Sequence, residues 1–175
     1  MIKLTTPLQR EDLEKLKAGD RVYISGTVYG ARDQAHARLI EEAILPFSLE
    51  GAVLYYVGPT PTKPGHIIGS SGPTSAYRMD QLSLPLMARG VKGMIGKGNR
   101  SAAFQKAMRE HKALYFMSIG GTGALLASKI KSQTTLLYED LGTEAVFAFE
   151  MEDFPCYVAY DLHGGSIFSE DAPKT

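Results

Sequence analysis

An α/β domain is predicted from the sequence, with a largely parallel central sheet, helices packed on it and a β-rich C-terminal segment. Three observations point there. Strand and helix signals alternate between residues 21 and 130, the run GAVLYYVGP is short and continuously apolar, and helix signals stop after Glu144.

The elements follow in order. RVYISGTVYG (21–30) is β-branched and aromatic and ends at Gly30, reading as a strand. ARDQAHARLIEEA (31–43) places Ala35, Leu39, Ile40 and Ala43 at helical spacing, with Asp33 as a first-turn acid against the helix dipole. GAVLYYVGP (51–59) has the pattern of a buried strand closed by Gly-Pro. TSAYRMDQLSLPLMARG then reads as a helix disturbed near Pro85, and VKGMIG (91–96) as a strand. NRSAAFQKAMREH (99–111) is a helix with Asn99 or Ser101 as N-cap, and KALYFMSIGG (112–121) is a strand. TGALLASKI (122–130) carries a helical pattern. The remaining stretch is expected as a hairpin-like tail, its strand segments separated at Asp153–Pro155 and at His163–Gly165.

At 175 residues the chain suits one domain, 1–175, and no repeat, low-complexity tract or Pro/Ser-rich linker divides it. Hydrophobic residues at 44% and charged residues at 22% are those of a folding sequence rather than a disordered one. Lys plus Arg and Asp plus Glu are equal at 19 each, so no global positive field attracts nucleic acid or an anionic membrane. The start, MIKLTTPLQREDLEKL, becomes charged too early for a signal peptide, and no stretch approaches roughly 18 uninterrupted apolar residues. A cytoplasmic location is expected. Cys156 is the one cysteine, which excludes an intrachain disulfide and an iron–sulfur cluster held by this chain alone.

In open α/β sheets, ligands lie beyond the carboxyl ends of the strands, where glycine-rich turns expose amides and helices present their positive ends. Three such turns each carry a cation: Arg32 after SGTVYG, Arg78 at the end of GSSGPTSAYRMD, and Lys97 in GMIGKGNR. Two guanidinium groups and a lysine converging there suit a small dianion, either a dicarboxylate or a phosphorylated acid. Taken singly, each cation reads as a solvated surface residue.

Other patterns carry less. GMIGKGNR lacks the Ser or Thr and the upstream glycine of a nucleotide-binding phosphate loop. GGTGALLA is a partial dinucleotide fingerprint that helix-start geometry explains. His36 falls on the surface of the 31–43 helix near the Arg32 turn, and as a lone histidine it reads as structural before catalytic. Asp80 is placed to cap a helix or pair with Arg78. No metal-ligand spacing occurs, and Cys156 reads as a buried thiol.

GARDQAHARL, GPTPTKPGHIIGSSGPTSAYRMD, IGKGNRS, GGTGALLASKI and LGTEAVFAFEMEDFPCYVAYDLHGG stand in one order along residues 5–168. In order and spacing they resemble the C-terminal domain or β subunit of the iron–sulfur-dependent hydro-lyases, the class I fumarate hydratase and L-tartrate dehydratase family. The resemblance implies a swivelling β/β/α domain and the addition or removal of water at the double bond of a C4 dicarboxylate. It also implies a [4Fe–4S] cluster bound by a separate, cysteine-bearing α subunit and not by this chain, in a hetero-oligomer.

Residue by residue, the resemblance gives Arg32, Arg78 and Lys97 as the cations around the substrate carboxylates and Thr74 as the proton-abstracting residue. Gly72 belongs to the loop whose amides meet the substrate. By sequence alone Thr74 reads as a helix N-cap. As a base it needs Lys97 or an arginine beside it, because a threonine hydroxyl ionises poorly at neutral pH. Ser75, Ala76 and Tyr77 depart from many relatives, and the choice between fumarate hydration and tartrate dehydration stays open. A non-catalytic dicarboxylate- or anion-binding module is the alternative from another class.

Overall fold

The computed structural model describes residues 1–56, 80–118 and 127–168. The strands are β1 (Ile2–Thr5), β2 (Arg21–Gly30), β3 (Val53–Tyr55), β4 (Gly93–Gly96), β5 (Leu114–Ser118), β6 (Ile130–Leu137) and β7 (Val146–Tyr160). The helices are α1 (Arg10–Glu14), α2 (Asp33–Glu41), α3 (Asp80–Ala88) and α4 (Ala102–Glu110), with a 3-10 helix at Glu139–Glu144. None of the described helices is long and apolar enough to cross a membrane.

The sheet is mixed. Strands β1 to β5 pair in parallel in sequence order, whereas β7 runs antiparallel to β2, β5 and β6. One edge of β7 lies along β2 from Phe147 to Tyr157; its other edge takes β6 first and then β5. The pairings β2–β3–β4–β5–β7–β2 therefore form a closed circuit, with β1 and β6 attached outside it.

That closure explains the apolar pattern. Residues facing inward from successive strands, among them Val28, Tyr55, Ile95, Phe116, Phe149 and Phe154, form one buried cluster. Their neighbours in sequence, Leu54, Tyr56, Met94 and Tyr115, face the other way, into a second cluster capped by Leu39 of α2, Leu86 of α3 and Phe104 of α4. Strands buried on both faces need continuous apolar runs, which is what GAVLYYVGP supplies. Each large side chain so buried contributes roughly 1.5–3 kcal/mol.

Local chemistry sets the ends. Ser101 caps α4, its hydroxyl accepting from the Phe104 amide at 3.1 Å. Pro85 lies inside α3, within which the sequence reading placed its disturbance. The tail departs from the expected hairpin, because β7 continues through Asp153–Pro155. Between Ile24 and Gly26 of β2, β7 inserts one extra residue, with Asp153 at φ 51° and its amide donating to Ser25 Oγ at 2.9 Å. The segment is a bulge, which bends a strand without ending it. Gly26 meets the bulge at φ 109°, where a Cβ would collide with Thr6. The turn expected at His163–Gly165 is present, and it returns the chain so that Ser166 bridges to Tyr160.

Two further readings change. The helical pattern assigned to 122–130 does not extend to its end, since Ile130 opens β6; residues 122–126 lie outside the described residues. β1, α1 and β6 had no counterpart in the sequence reading.

Candidate functional site

The parallel strands β2, β3 and β4 deliver their carboxyl ends to one edge of the sheet. The Ala31 amide donates to Tyr55 O and the Tyr56 amide to Ile95 O, both at 3.0 Å, so the chain leaves these strands in fixed register. Arg32, Tyr56 and Lys97 follow those ends directly. Gly72, Thr74, Tyr77 and Arg78 lie outside the described residues.

Arg32 occupies the N-cap position of α2 in extended backbone. Its side chain is 27% exposed, and Nε lies 3.8 Å from Oε1 of Glu144 with no hydrogen-bond partner among the described residues. Glu144 is steadied by Gln34, whose Nε2 donates to Oε2 at 2.8 Å.

His36 does not lie on the helix surface as the sequence reading expected; it is fully buried. The face of α2 that carries it packs against Tyr56, whose ring it meets edge-on at 5.4 Å. Its Nδ1 lies 2.9 Å from Arg32 O, and since a carbonyl only accepts, Nδ1 carries the proton. Nε2 has no partner. Burial first, then the charge of Arg100, lowers its pKa to about 4 against the pull of the Arg32 carbonyl, so the ring is neutral at pH 7.

Beside His36 stands a residue that sequence reasoning missed. The Arg100 side chain has no solvent exposure. Its guanidinium carbon lies 3.6 Å from the ring centre of Phe104, 5.1 Å from that of Tyr56 and 5.0 Å from that of Tyr115. Asp80 supplies the countercharge: Oδ1 accepts from Arg100 Nε, and Oδ2 accepts from the Ser101 amide at 2.6 Å. The partner of Asp80 among the described residues is thus Arg100. Burial works against the charge on Arg100, but Tyr56 and Asp80 outweigh it and hold its pKa above the ordinary value. Nothing in the spacing of IGKGNRS marks Arg100 as buried; a single arginine reads as exposed.

Lys97, by contrast, is exposed, and it forms no ion pair among the described residues. A continuous path of contacts therefore runs from Arg32 through His36, Tyr56 and Arg100 to Asp80, and the turn carrying Lys97 adjoins it. Arg32 and Lys97 thus follow the ends of β2 and β4, near a neutral histidine and an arginine whose buried charge is compensated by Asp80. Cys156 is completely buried in the inner cluster, where burial pushes its thiol pKa well up. Among the described residues no group of three or more His, Cys, Asp or Glu could hold a metal ion.

The sequence matches the family described as Fumarase C-terminus over residues 1–171. It is similar to Fumarate hydratase 2 of Leishmania major, 38% identical over 167 residues that make up 92% of this chain and 29% of that protein. It is also similar to the putative L(+)-tartrate dehydratase subunit beta of Methanocaldococcus jannaschii, 35% identical across 93% of this chain and 89% of the other. The L(+)-tartrate dehydratase subunit beta of Escherichia coli K12 is 31% identical, covering 96% of this chain and 87% of that subunit. The chain thus spans about a third of the fumarate hydratase and most of each β subunit.

Proposed function

The chain belongs to the Fumarase C-terminus family, and from that premise we propose that it is the β subunit of a hydro-lyase, a single domain acting with a separate α subunit on a C4 dicarboxylate. The reaction we assign is the reversible hydration of fumarate to L-malate. The observation that carries the reading is the pair of cations, Arg32 and Lys97, following the carboxyl ends of β2 and β4, the parallel strands on either side of β3, together with a family match over nearly the whole chain.

A [4Fe–4S] cluster does not fit the residues present. One thiol, sealed among apolar side chains, cannot replace several accessible thiolates. In this reading the cluster resides on the α subunit.

This chain's own residues supply electrostatics. Removing a proton α to a carboxylate builds negative charge on that carboxylate, so cations fixed beforehand stabilise the transition state more than the ground state. We assign Arg32 and Arg78 to the substrate carboxylates, with the Gly72 amide as a further substrate contact. Thr74 takes the proton, with Lys97 stabilising its alkoxide.

L-tartrate dehydration is the second reading, favoured by the near full-length match to two β subunits so named. The experiment combines this chain with its reconstituted α subunit and follows fumarate absorbance on addition of malate, then oxaloacetate formation on addition of tartrate. Turnover only in the mixture, with malate, is the expected result. Turnover by this chain alone overturns the division of labour. Saturable dicarboxylate binding with no turnover in the mixture identifies a binding module instead.

A further inference from the structure

We infer that Asp80, Arg100 and Tyr115 are positioning residues that hold the turn carrying Lys97 in one conformation; the catalytic consequence rests on the hydro-lyase reading. Between β4 and α4 the backbone is gripped at successive points. Tyr115 Oη donates to Gly98 O at 2.8 Å, and Gly98 sits at φ 84°. The Arg100 amide donates to Tyr160 Oη at 2.7 Å, Gln105 Nε2 donates to Arg100 O at 3.3 Å, and the Ser101 amide donates to Asp80. The Arg100 guanidinium adds longer bonds to Ser83 Oγ at 3.3 Å and Tyr56 Oη at 3.5 Å.

Stability alone does not account for this construction. A buried ion pair recovers little more than its own desolvation cost, and well-packed apolar residues of the same volume commonly serve as well or better. What the pair adds is specificity of geometry. Asp80 lies in the first turn of α3 and binds both the side chain before α4 and the amide that begins it, so one carboxylate fixes α3 against α4. The effect concentrates on a turn whose one charged, exposed side chain is Lys97. A lysine that merely solvates the surface needs no such anchoring. An ammonium group that must meet developing charge does, since small misplacements at a reacting centre are costly in rate.

Tyr115→Phe is the sharpest probe, because it deletes the bond to Gly98 while keeping the ring that stacks on Tyr160 at 5.5 Å. Two measurements are made. The first is amide hydrogen exchange at 97–101 in the full chain, which needs no activity. Faster exchange there, with the melting temperature nearly unchanged, is expected, and unchanged protection overturns the inference. The second is steady-state kinetics of the complex with the α subunit. A fall in kcat of roughly tenfold is expected with little change in KM. In a Lys97→Ala background the same substitution should add nothing, because it acts through Lys97; a full, additive loss overturns the inference. Arg100→Met combined with Asp80→Asn, which removes both buried charges together so that neither is left unpaired, serves as the second variant, expected to fold yet lose the same protection. Should the wild-type complex show no hydro-lyase activity, the functional reading falls and the exchange experiment still decides whether the turn is held.

Discussion

Arg32 faces Glu144 across 3.8 Å, so the cation at the start of α2 already has a carboxylate of its own chain as neighbour. Both side chains are about a quarter exposed, which leaves the pair weak enough to yield to a ligand. In the proposed function, a substrate carboxylate at Arg32 would compete with Glu144 for the same guanidinium. Glu144→Gln removes the competitor while keeping an amide that Gln34 can still reach. We expect the affinity for fumarate or malate, read by calorimetry, to rise about two- to fivefold. Unchanged or weaker binding would show that Arg32 does not meet the ligand.

His36 predicts a pH dependence. Its pKa falls from 6.5 to about 4 on folding, so between those values the unfolded chain binds the extra proton and the folded chain does not. Stability is therefore complete above pH 6.5 and declines as pH falls toward 4, by up to about 3 kcal/mol from this residue. Urea unfolding at a series of pH values measures the slope, and His36→Gln should flatten it. A wild-type curve without decline in that interval, or an equal slope in the variant, refutes the assignment.

The contrast between His36 and Arg100 shows where the sequence is informative. Helical spacing around Ala35 and Leu39 announced α2 and its apolar stripe, because burial of one face is a repeating signal. His36 lies one residue from Ala35 on that stripe, and only the packing of Tyr56 against it decides that an imidazole goes inside. Arg100 is harder still: its partners, Asp80, Tyr56, Phe104 and Tyr115, come from four separate elements or their ends, so no local pattern contains them. The strand signals show the same rule. β3 and β5, buried on both faces, were legible as apolar runs, whereas β6 presents mostly exposed polar positions and no alternation to read. In β7, Asp153 and Pro155 carry the residue types of a turn, and the bulge opposite Ser25 is what keeps the strand continuous.

Asp161 closes the C-terminal turn onto the start of the domain. Its Oδ1 accepts from the His163 and Gly165 amides at 2.8 and 2.7 Å, and Oδ2 accepts from the Ala18 amide at 2.9 Å. Burial pushes the carboxyl upward, but these amides outweigh it and hold the pKa below the ordinary carboxylate range. The depressed value means that the stabilisation is present above that range and is lost as pH falls through the folded pKa. Asp161→Ala leaves the amides without their acceptor and is expected to cost about 2–3 kcal/mol at pH 7, read as a lower melting temperature. Equal stability of variant and parent at neutral pH would contradict the latch.

Cys156 tests the proposed placement of an iron–sulfur cluster on the α subunit. Its side chain lies in the inner cluster at zero exposure, and burial raises the thiol pKa, so no thiolate is offered at neutral pH. The native chain should not react with a thiol reagent until it is unfolded, and the chain expressed alone should retain no iron after desalting. Cys156→Ala removes only a buried sulfur, at about 1–2 kcal/mol of stability. In the complex with the α subunit, the variant should keep the iron content and the visible absorption of the parent. A thiol that titrates rapidly in the folded state, or a complex that loses its iron with this one substitution, would place a cluster ligand on this chain and reverse the assignment.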